Sequence, residues 1–245
     1  MEVRRRRKAS EVRISQDGSF SYRLLPNGKA EILRCLVEKG RLTVPESLDG
    51  HPVTAIGTAA FALCQQMTAV RLPKGLRSIG AEAFAYCKQL RGIWLPERLT
   101  DLGEGAFLGC SQLRWVVFAG GRKTKSHCKA LPLACFASCK RLMHLRLPQN
   151  LKSIGKESFA GCGYMRHLRL PWSLEELDAT AFARCDCLVL TVERGSMAEQ
   201  LCDAQKLDNH YPIELPYWMQ EALHLTHEAV EEHKRQDGKR TEKET

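Results

Sequence analysis

The apolar residues of this chain recur with a regular period. A phenylalanine marks each period, and a cysteine follows it three residues later. Successive phenylalanines are 23 residues apart, except for one step of 29 residues between Phe107 and Phe136. The pairs are Phe61 and Cys64, Phe84 and Cys87, Phe107 and Cys110, Phe136 and Cys139, Phe159 and Cys162, and Phe182 and Cys185. A period of about 20–29 residues is typical of solenoids, in which each unit buries its apolar face against its neighbours.

A second segment of each period alternates between apolar and other residues. Its apolar positions include Val70 and Leu72, Ile93 and Leu95, and Leu145 and Leu147. This alternation predicts a short strand with two inward side chains. The Ala-Phe-x-x-Cys segment predicts a helical turn that directs its phenylalanine inward. We therefore expect a repeat solenoid with short parallel strands on one face, helical turns on the other, and a C-terminal helix.

Residues 53–193 resemble the BspA-like leucine-rich-repeat family, whose consensus is roughly L-x-x-I-x-L-P-x-x-L-x-x-I-G-x-x-A-F-x-x-C. The resemblance implies six leucine-rich repeats, with an insertion at 119–127. Residues 18–52 are similar to the N-terminal cap of that family. Residues 194–215 are similar to its C-terminal cap, with a short helix near residues 195–199 and a strand-like segment at 211–215. The family is defined by its repeats, so the resemblance implies no catalytic residues.

Both ends of the chain lie outside this pattern. Residues 1–17 include four consecutive arginines, Arg4 to Arg7, and predict a basic disordered tail or, alternatively, a contact with an anionic surface. Residues 216–245 predict an amphipathic helix followed by a polar tail. Its apolar stripe contains Trp218, Met219, Ala222, Leu223, Thr226, Ala229 and Val230. This helix either docks on the last coil, since terminal repeats need caps, or binds a partner.

The charge of the chain is positive, with a formal net charge of +9. The insertion contains Arg122, Lys123 and Lys125, and insertions in repeat proteins often lie at a binding face. It is either a basic finger that contacts an acidic partner or a solvated loop. The chain contains no apolar run of about 18 residues, the length that predicts a membrane span. The N-terminal charges are not followed by the apolar region of a secretion signal. We therefore expect a cytoplasmic protein.

The chemistry-bearing residues show no catalytic or metal-binding pattern. The repeat cysteines fall one per coil, whereas a zinc site needs four ligands that converge on one point. Free cysteines of this kind pack as small apolar residues, and the cytosol keeps them reduced. The chain has no G-x-S-x-G, H-E-x-x-H or phosphate-binding loop. We expect no enzyme activity, no cofactor and no metal.

The outward residues of the predicted strands suggest a binding surface. They form two columns: Arg71, Trp94, Val117, Arg146 and Arg169 in one, and Ala69, Gly92, Trp115, His144 and His167 in the other. Tryptophan and arginine are enriched at binding hot spots, although the two tryptophans could simply cover their own sheet. The predicted partner-binding residues are Arg71, Trp94, Trp115, His144, Arg146, His167 and Arg169.

The expected function is a scaffold for protein–protein interaction. The expected partner is another protein, which could bind through an acidic segment. The alternative is binding of an anionic polymer such as nucleic acid through the tail, the insertion and these arginines.

Overall fold

The computed structural model describes residues 11–119, 126–207 and 209–210. Three expectations fall on other residues: the arginine run at 4–7, the basic part of the insertion at 120–125, and the amphipathic segment at 216–245. Within the described residues the chain forms a stack of parallel β-coils, which confirms the predicted solenoid.

The N-terminal cap consists of six strands. They are β1 (Val12–Ile14), β2 (Phe20–Leu24), β3 (Ala30–Cys35), β4 (Arg41–Thr43), β5 (Ser47–Leu48) and β6 (His51–Ile56). Strands β1, β2 and β3 form an antiparallel meander, and β3 then pairs in parallel with β6. The buried Tyr22 donates a hydrogen bond to Asp49 Oδ2 at 2.6 Å and so ties β2 to the turn before β6. Since β1 lies within residues 1–17, the ordered cap starts before the predicted boundary at residue 18.

Each of the next five coils contributes two short strands, and β17 and β18 follow them. These are β7 (Ala69–Arg71), β8 (Ser78–Ile79), β9 (Gly92–Leu95), β10 (Asp101–Leu102), β11 (Trp115–Phe118), β12 (Ala130–Leu131), β13 (His144–Arg146), β14 (Ser153–Ile154), β15 (His167–Arg169), β16 (Glu176–Leu177), β17 (Val189–Thr191) and β18 (Asn209–His210). One parallel sheet has the order β4, β7, β9, β11, β13. A second sheet, β15, β17, β18, follows it on the same side of the solenoid. The second strand of each coil pairs along a neighbouring side, through β6, β8, β10 and then β12, β14, β16.

The Ala-Phe-x-x-Cys segments form the turn face of the solenoid. In the first five repeats the residues two before and two after the phenylalanine have left-handed backbone angles, as in Glu82 (φ 55°) and Tyr86 (φ 57°). The N–H groups of Glu82, Phe84 and Tyr86 donate to carbonyls of the next coil at 2.7–2.8 Å. The segments that the sequence predicts as helical turns therefore form successive short turns, because these N–H groups bond to the next coil and not along a helix.

The phenylalanines stack into a column through the core. Ring centroids of neighbouring coils are 4.9–5.6 Å apart, and the rings are within 12° of parallel. The six-residue excess between Phe107 and Phe136 leaves the stack unchanged, since their centroids are 5.2 Å apart. Phe20 of the cap meets Phe61 edge-on at 6.2 Å and ends the column.

Close approach of the coils requires glycine at one corner of some repeats, as at Gly80 and Gly103, whereas two other repeats have Pro132 and Asp178 at this position. A Cβ at Gly103 would lie 2.2 Å from the backbone N of Ala81 in the preceding coil. No side chain fits at that distance, which explains the glycine that recurs at this position in the sequence.

Among the described residues, one helix, α1 (Met197–Ala204), follows the last repeat. Ser196 Oγ accepts a hydrogen bond from Glu199 N at 3.1 Å, and Glu199 Oε2 accepts one from Gly195 N at 2.6 Å. These two bonds, a variant of the capping box in which the carboxylate accepts from the residue before the N-cap, begin the helix at the position where the sequence predicts a short one. Ala198 and Cys202 are its buried residues, and they extend the core beyond the last coil.

The phenylalanine column predicts the effect of replacing its central member. Phe107 is fully buried between Phe84 and Phe136, so Phe107→Ala should lower the free energy of unfolding by about 3–5 kcal/mol. Denaturant unfolding measures this change, and Tyr164→Ala, at a side chain that is 60% exposed, is the control. A melting temperature of Phe107→Ala within about a degree of the wild type would contradict this packing, given the ~4 °C per kcal/mol expected of a domain.

Candidate partner-binding surface

The strand register brings the predicted residues into two columns. Trp115 lies opposite Gly92 on one side and His144 on the other, while Val117 lies between Trp94 and Arg146. The residues between them, such as Val116, point into the core and are buried. We call the outward side chains of β7, β9, β11, β13 and β15 the strand face.

An aromatic pair occupies the middle of the strand face. The rings of Trp94 and Trp115 meet edge-to-face, with centroids 6.2 Å apart and planes at 73°. A Cβ at Gly92 would lie 1.9 Å from Trp115 Cε2, so the indole of Trp115 lies directly on the backbone of β9. Trp115 therefore does cover its own sheet, but both tryptophans remain only half-buried and keep apolar surface accessible. A glycine inside a strand indicates such a close approach, and Gly92 was the sequence signal for it.

A cationic group lies beside the aromatic pair. His144 and Arg146 on β13 and His167 and Arg169 on β15 are all exposed. Strands β13 and β15 belong to successive coils whose phenylalanine centroids are 5.6 Å apart, although the ladder of backbone hydrogen bonds stops between them. The Arg169 guanidinium pairs with Glu193 on the next coil, at 2.6 Å between Nη2 and Oε1.

Further arginines surround these residues. Arg71 is exposed on β7, on the opposite side of Trp94 from Arg146. Three more exposed arginines, which were not among the predicted residues, immediately precede β9, β11 and β15: they are Arg91, Arg114 and Arg166. They form a third column, one residue before the column of Trp115, and the repeat alignment shows it when it is extended by one position toward the N-terminus. None of the strands β4, β7, β9, β11, β13, β15 and β17 contains Asp or Glu, so the strand face is positively charged.

The insertion begins and ends beside the carboxyl ends of β9 and β11. Ala119 N donates to Leu95 O at 2.7 Å, and His127 N donates to Glu97 O at 3.1 Å. The Asn150 amide donates to the carbonyl of the buried Ser126 at 2.6 Å. Both ends of the insertion are therefore bonded to neighbouring coils just beyond the strands. The predicted basic finger between them lies outside the described residues.

The repeat cysteines form a column beside the phenylalanines. Each thiol from Cys87 onward donates to the carbonyl of the phenylalanine in the preceding coil, at 3.1–3.3 Å. The cysteines are thus specific hydrogen-bond donors as well as small apolar residues. Cys64 is only half-buried, contrary to the expectation, because no earlier repeat covers it. Cys35 of the cap lies beside Cys64, and its thiol donates to Val37 O at 3.3 Å.

The described part of the chain contains no group of three or more His, Cys, Asp or Glu side chains placed to hold a metal ion. Its helical content includes no segment with the length and apolarity of a membrane span. A hollow of about 240 Å³ lies at the end of the last coil, where Phe182, Cys185, Leu190 and Lys206 are among its lining residues.

The repeat pattern matches a known family. The family model of the BspA type leucine-rich repeat region matches residues 54–189 in six copies. The chain belongs to the BspA-type leucine-rich-repeat family. A search of curated proteins finds no match to this BspA-type protein.

Several solved structures are similar to this BspA-type protein. A leucine-rich-repeat protein of T. pallidum is 24% identical, with a TM-score of 0.40, over 62% of this chain and 91% of that one. One from Eubacterium ventriosum is 19% identical, with a TM-score of 0.48, over 69% of this chain, which spans only 51% of that one. One from Bacteroides ovatus is 18% identical, with a TM-score of 0.32, over 79% of this chain and 66% of that one. These similarities concern the fold alone.

The contact between Trp115 and Gly92 predicts that a methyl group added at Gly92 disturbs the packing of the Trp115 ring. Gly92→Ala should displace the Trp115 ring, shift the tryptophan emission and lower the free energy of unfolding by about 1–3 kcal/mol, as overpacking does. Gly163→Ala is the control, because no atom lies within 4 Å of a Cβ placed there. Emission and stability of Gly92→Ala equal to those of the control would show that Trp115 does not lie on β9.

The cysteine column predicts selective alkylation by N-ethylmaleimide. Burial raises the pKa of the Cys135 thiol, and a hydrogen bond with Cys139 together with burial raises that of Cys110. Since the thiolate is the reactive form, both should resist alkylation in the folded protein while the exposed Cys187 reacts. Peptide mass spectrometry measures the labelling, and the unfolded protein is the control. Equal labelling of Cys110 and Cys187 without denaturant, or disulfide-linked peptides within the column, would contradict this arrangement.

Proposed function

We propose that this BspA-type protein is a non-catalytic scaffold that binds a partner protein through the strand face. The observation that carries the proposal is the half-exposed pair of Trp94 and Trp115 in contact beside exposed histidines and arginines. Binding energy at interfaces is concentrated at tryptophan and arginine anchors of this kind. Equivalent side chains on neighbouring coils repeat at nearly constant spacing, which suits an extended interface.

The charge of the strand face favours a partner with an acidic segment. Tryptophan rings supply apolar area that loses water on binding, and arginine donates paired hydrogen bonds to carboxylates. The strands that form this face contain no Asp or Glu, so an acidic segment would meet little repulsion. A cytoplasmic location fits the same proposal, because the protonated thiols donate hydrogen bonds inside the core and a reducing compartment preserves them.

Binding of an anionic polymer such as nucleic acid is the second candidate. The exposed Arg71, Arg146 and Arg169 favour it, because arginine also binds phosphate and stacks on bases. The two candidates differ in their response to salt. Neutralising several phosphates makes the logarithm of the affinity fall linearly and steeply with the logarithm of the salt concentration. A protein partner with a few carboxylates should depend less on salt.

A double substitution tests the proposed surface. Trp94→Ala together with Arg146→Glu removes apolar area and reverses a charge, so the affinity for an isolated partner should fall at least about 100-fold, in line with the loss of two hot spots. Circular dichroism and thermal unfolding should show an intact fold, because neither side chain is in the buried core. Isothermal titration calorimetry measures the affinity.

The matched control is Tyr86→Ala together with Lys88→Glu, which makes the same kinds of change at exposed residues of the turn face. It should bind within about twofold of the wild type, as surface changes away from an interface do. Unchanged affinity of the Trp94→Ala, Arg146→Glu variant would exclude the strand face and make the insertion the next candidate.

A further inference from the structure

We propose that the strand face recognises an extended acidic segment that crosses the strands, with one aromatic residue and two acidic residues at alternate positions, as in aromatic-x-acidic-x-acidic. This inference rests on the proposed function and specifies its ligand. It follows from the spacing of the coils, the position of the aromatic pair and the ion pair between Arg169 and Glu193.

The distances across the strand face match the repeat of an extended chain. The phenylalanine stack gives a separation of 4.9–5.6 Å between coils. The aromatic pair spans β9 and β11, so β13 lies about 7 Å and β15 about 12 Å from its midpoint at the usual strand spacing. Alternate side chains of an extended chain point to the same side and repeat every ~6.8 Å. Positions two and four residues from an aromatic anchor therefore fall over β13 and β15 to within about 2 Å.

The side chains of the strand face at these positions match the anchor residues of the proposed ligand. An aromatic ligand side chain packs on the accessible surface of Trp94 and Trp115, in the edge or offset geometry that rings prefer. The first acidic side chain lies over β13, between His144 and Arg146, and the described residues place no acidic side chain on either. The residues between the anchors point away from the sheet, so the proposal does not constrain them. A segment that lies across the strands forms no backbone ladder with them, and both chain directions fit.

Glu193 shows where the second carboxylate binds. Its Oε1 lies 2.6 Å from Arg169 Nη2, so a carboxylate from the neighbouring coil already occupies this arginine. A ligand carboxylate over β15 must displace it to reach Arg169. Glu193 is thus an intramolecular competitor, and its removal should strengthen binding of an acidic ligand. This expectation is opposite to the effect of a merely structural ion pair, whose loss would leave binding unchanged or weaker.

Two fluorescein-labelled peptides of equal composition test the spacing against the full chain. One is Gly-Ser-Phe-Ser-Glu-Ser-Glu-Ser-Gly, and the other is Gly-Ser-Phe-Glu-Glu-Ser-Ser-Ser-Gly. Fluorescence anisotropy in low-salt buffer should give a Kd at least tenfold lower for the alternating peptide. Arg146→Gln should raise that Kd at least tenfold, Glu193→Gln should lower it about threefold or more, and Lys88→Gln on the turn face should leave it unchanged.

Equal affinity for the two peptides, or binding of neither, overturns the proposal, as does weaker binding by Glu193→Gln. If the Trp94→Ala, Arg146→Glu variant still loses its protein partner in that case, the strand face remains the binding site and only the spacing rule fails. A ten-residue oligothymidylate that binds more tightly than the alternating peptide also overturns the proposal, and it identifies an anionic polymer as the ligand.

Discussion

The bonding of each coil to the next determines almost every other feature of this structure. The coils bond along both the strand side and the turn side, as in the pairing of β11 with β9 and the bond from Phe84 N to Ala106 O at 2.8 Å. Three parallel lines of backbone bonds, two between strands and one between turns, hold equivalent residues of neighbouring coils in register. The core therefore repeats as columns of identical side chains, and the surface repeats as columns of different ones. A single repeat cannot exist alone, because the backbone partners of its strands and of its turns belong to its neighbours.

The sequence predicted those parts of the structure that repeat. The phase of Phe107 and its equivalents identified the core column, and the alternation around Trp94 assigned outward and inward residues correctly. Features at the N-terminal end of the array were missed because they have no periodic signal. Strand β1 follows a basic run that suggested disorder, and Cys35 occupies a repeat-like position without the repeat's sequence. Cys64 is half-buried for the same reason, since its covering coil is a cap.

Other features depend on contacts between coils that a single period does not show. The left-handed angle at Tyr86 arises from a bond to the next coil, so local propensity favoured a helical turn instead. The position of Trp115 on β9 depends on the absence of a side chain at Gly92, one coil earlier. The pairing of Arg169 with Glu193 likewise joins two coils. These interactions were available in the sequence only after the register was fixed, which explains why the columns were predicted and the contacts between them were not.

At the corner after β11, the repeat is longer without any change in the geometry of the core. The sequence is six residues longer there than in the other repeats, and the neighbouring phenylalanine rings keep their stacking distance. The entropy of closing a loop grows only slowly with its length, so further residues at this corner would cost little stability. Related genes can therefore acquire new segments at this point without redesigning a repeat. An engineer can use the same corner to attach a fluorophore or an affinity tag within a short reach of the sheet.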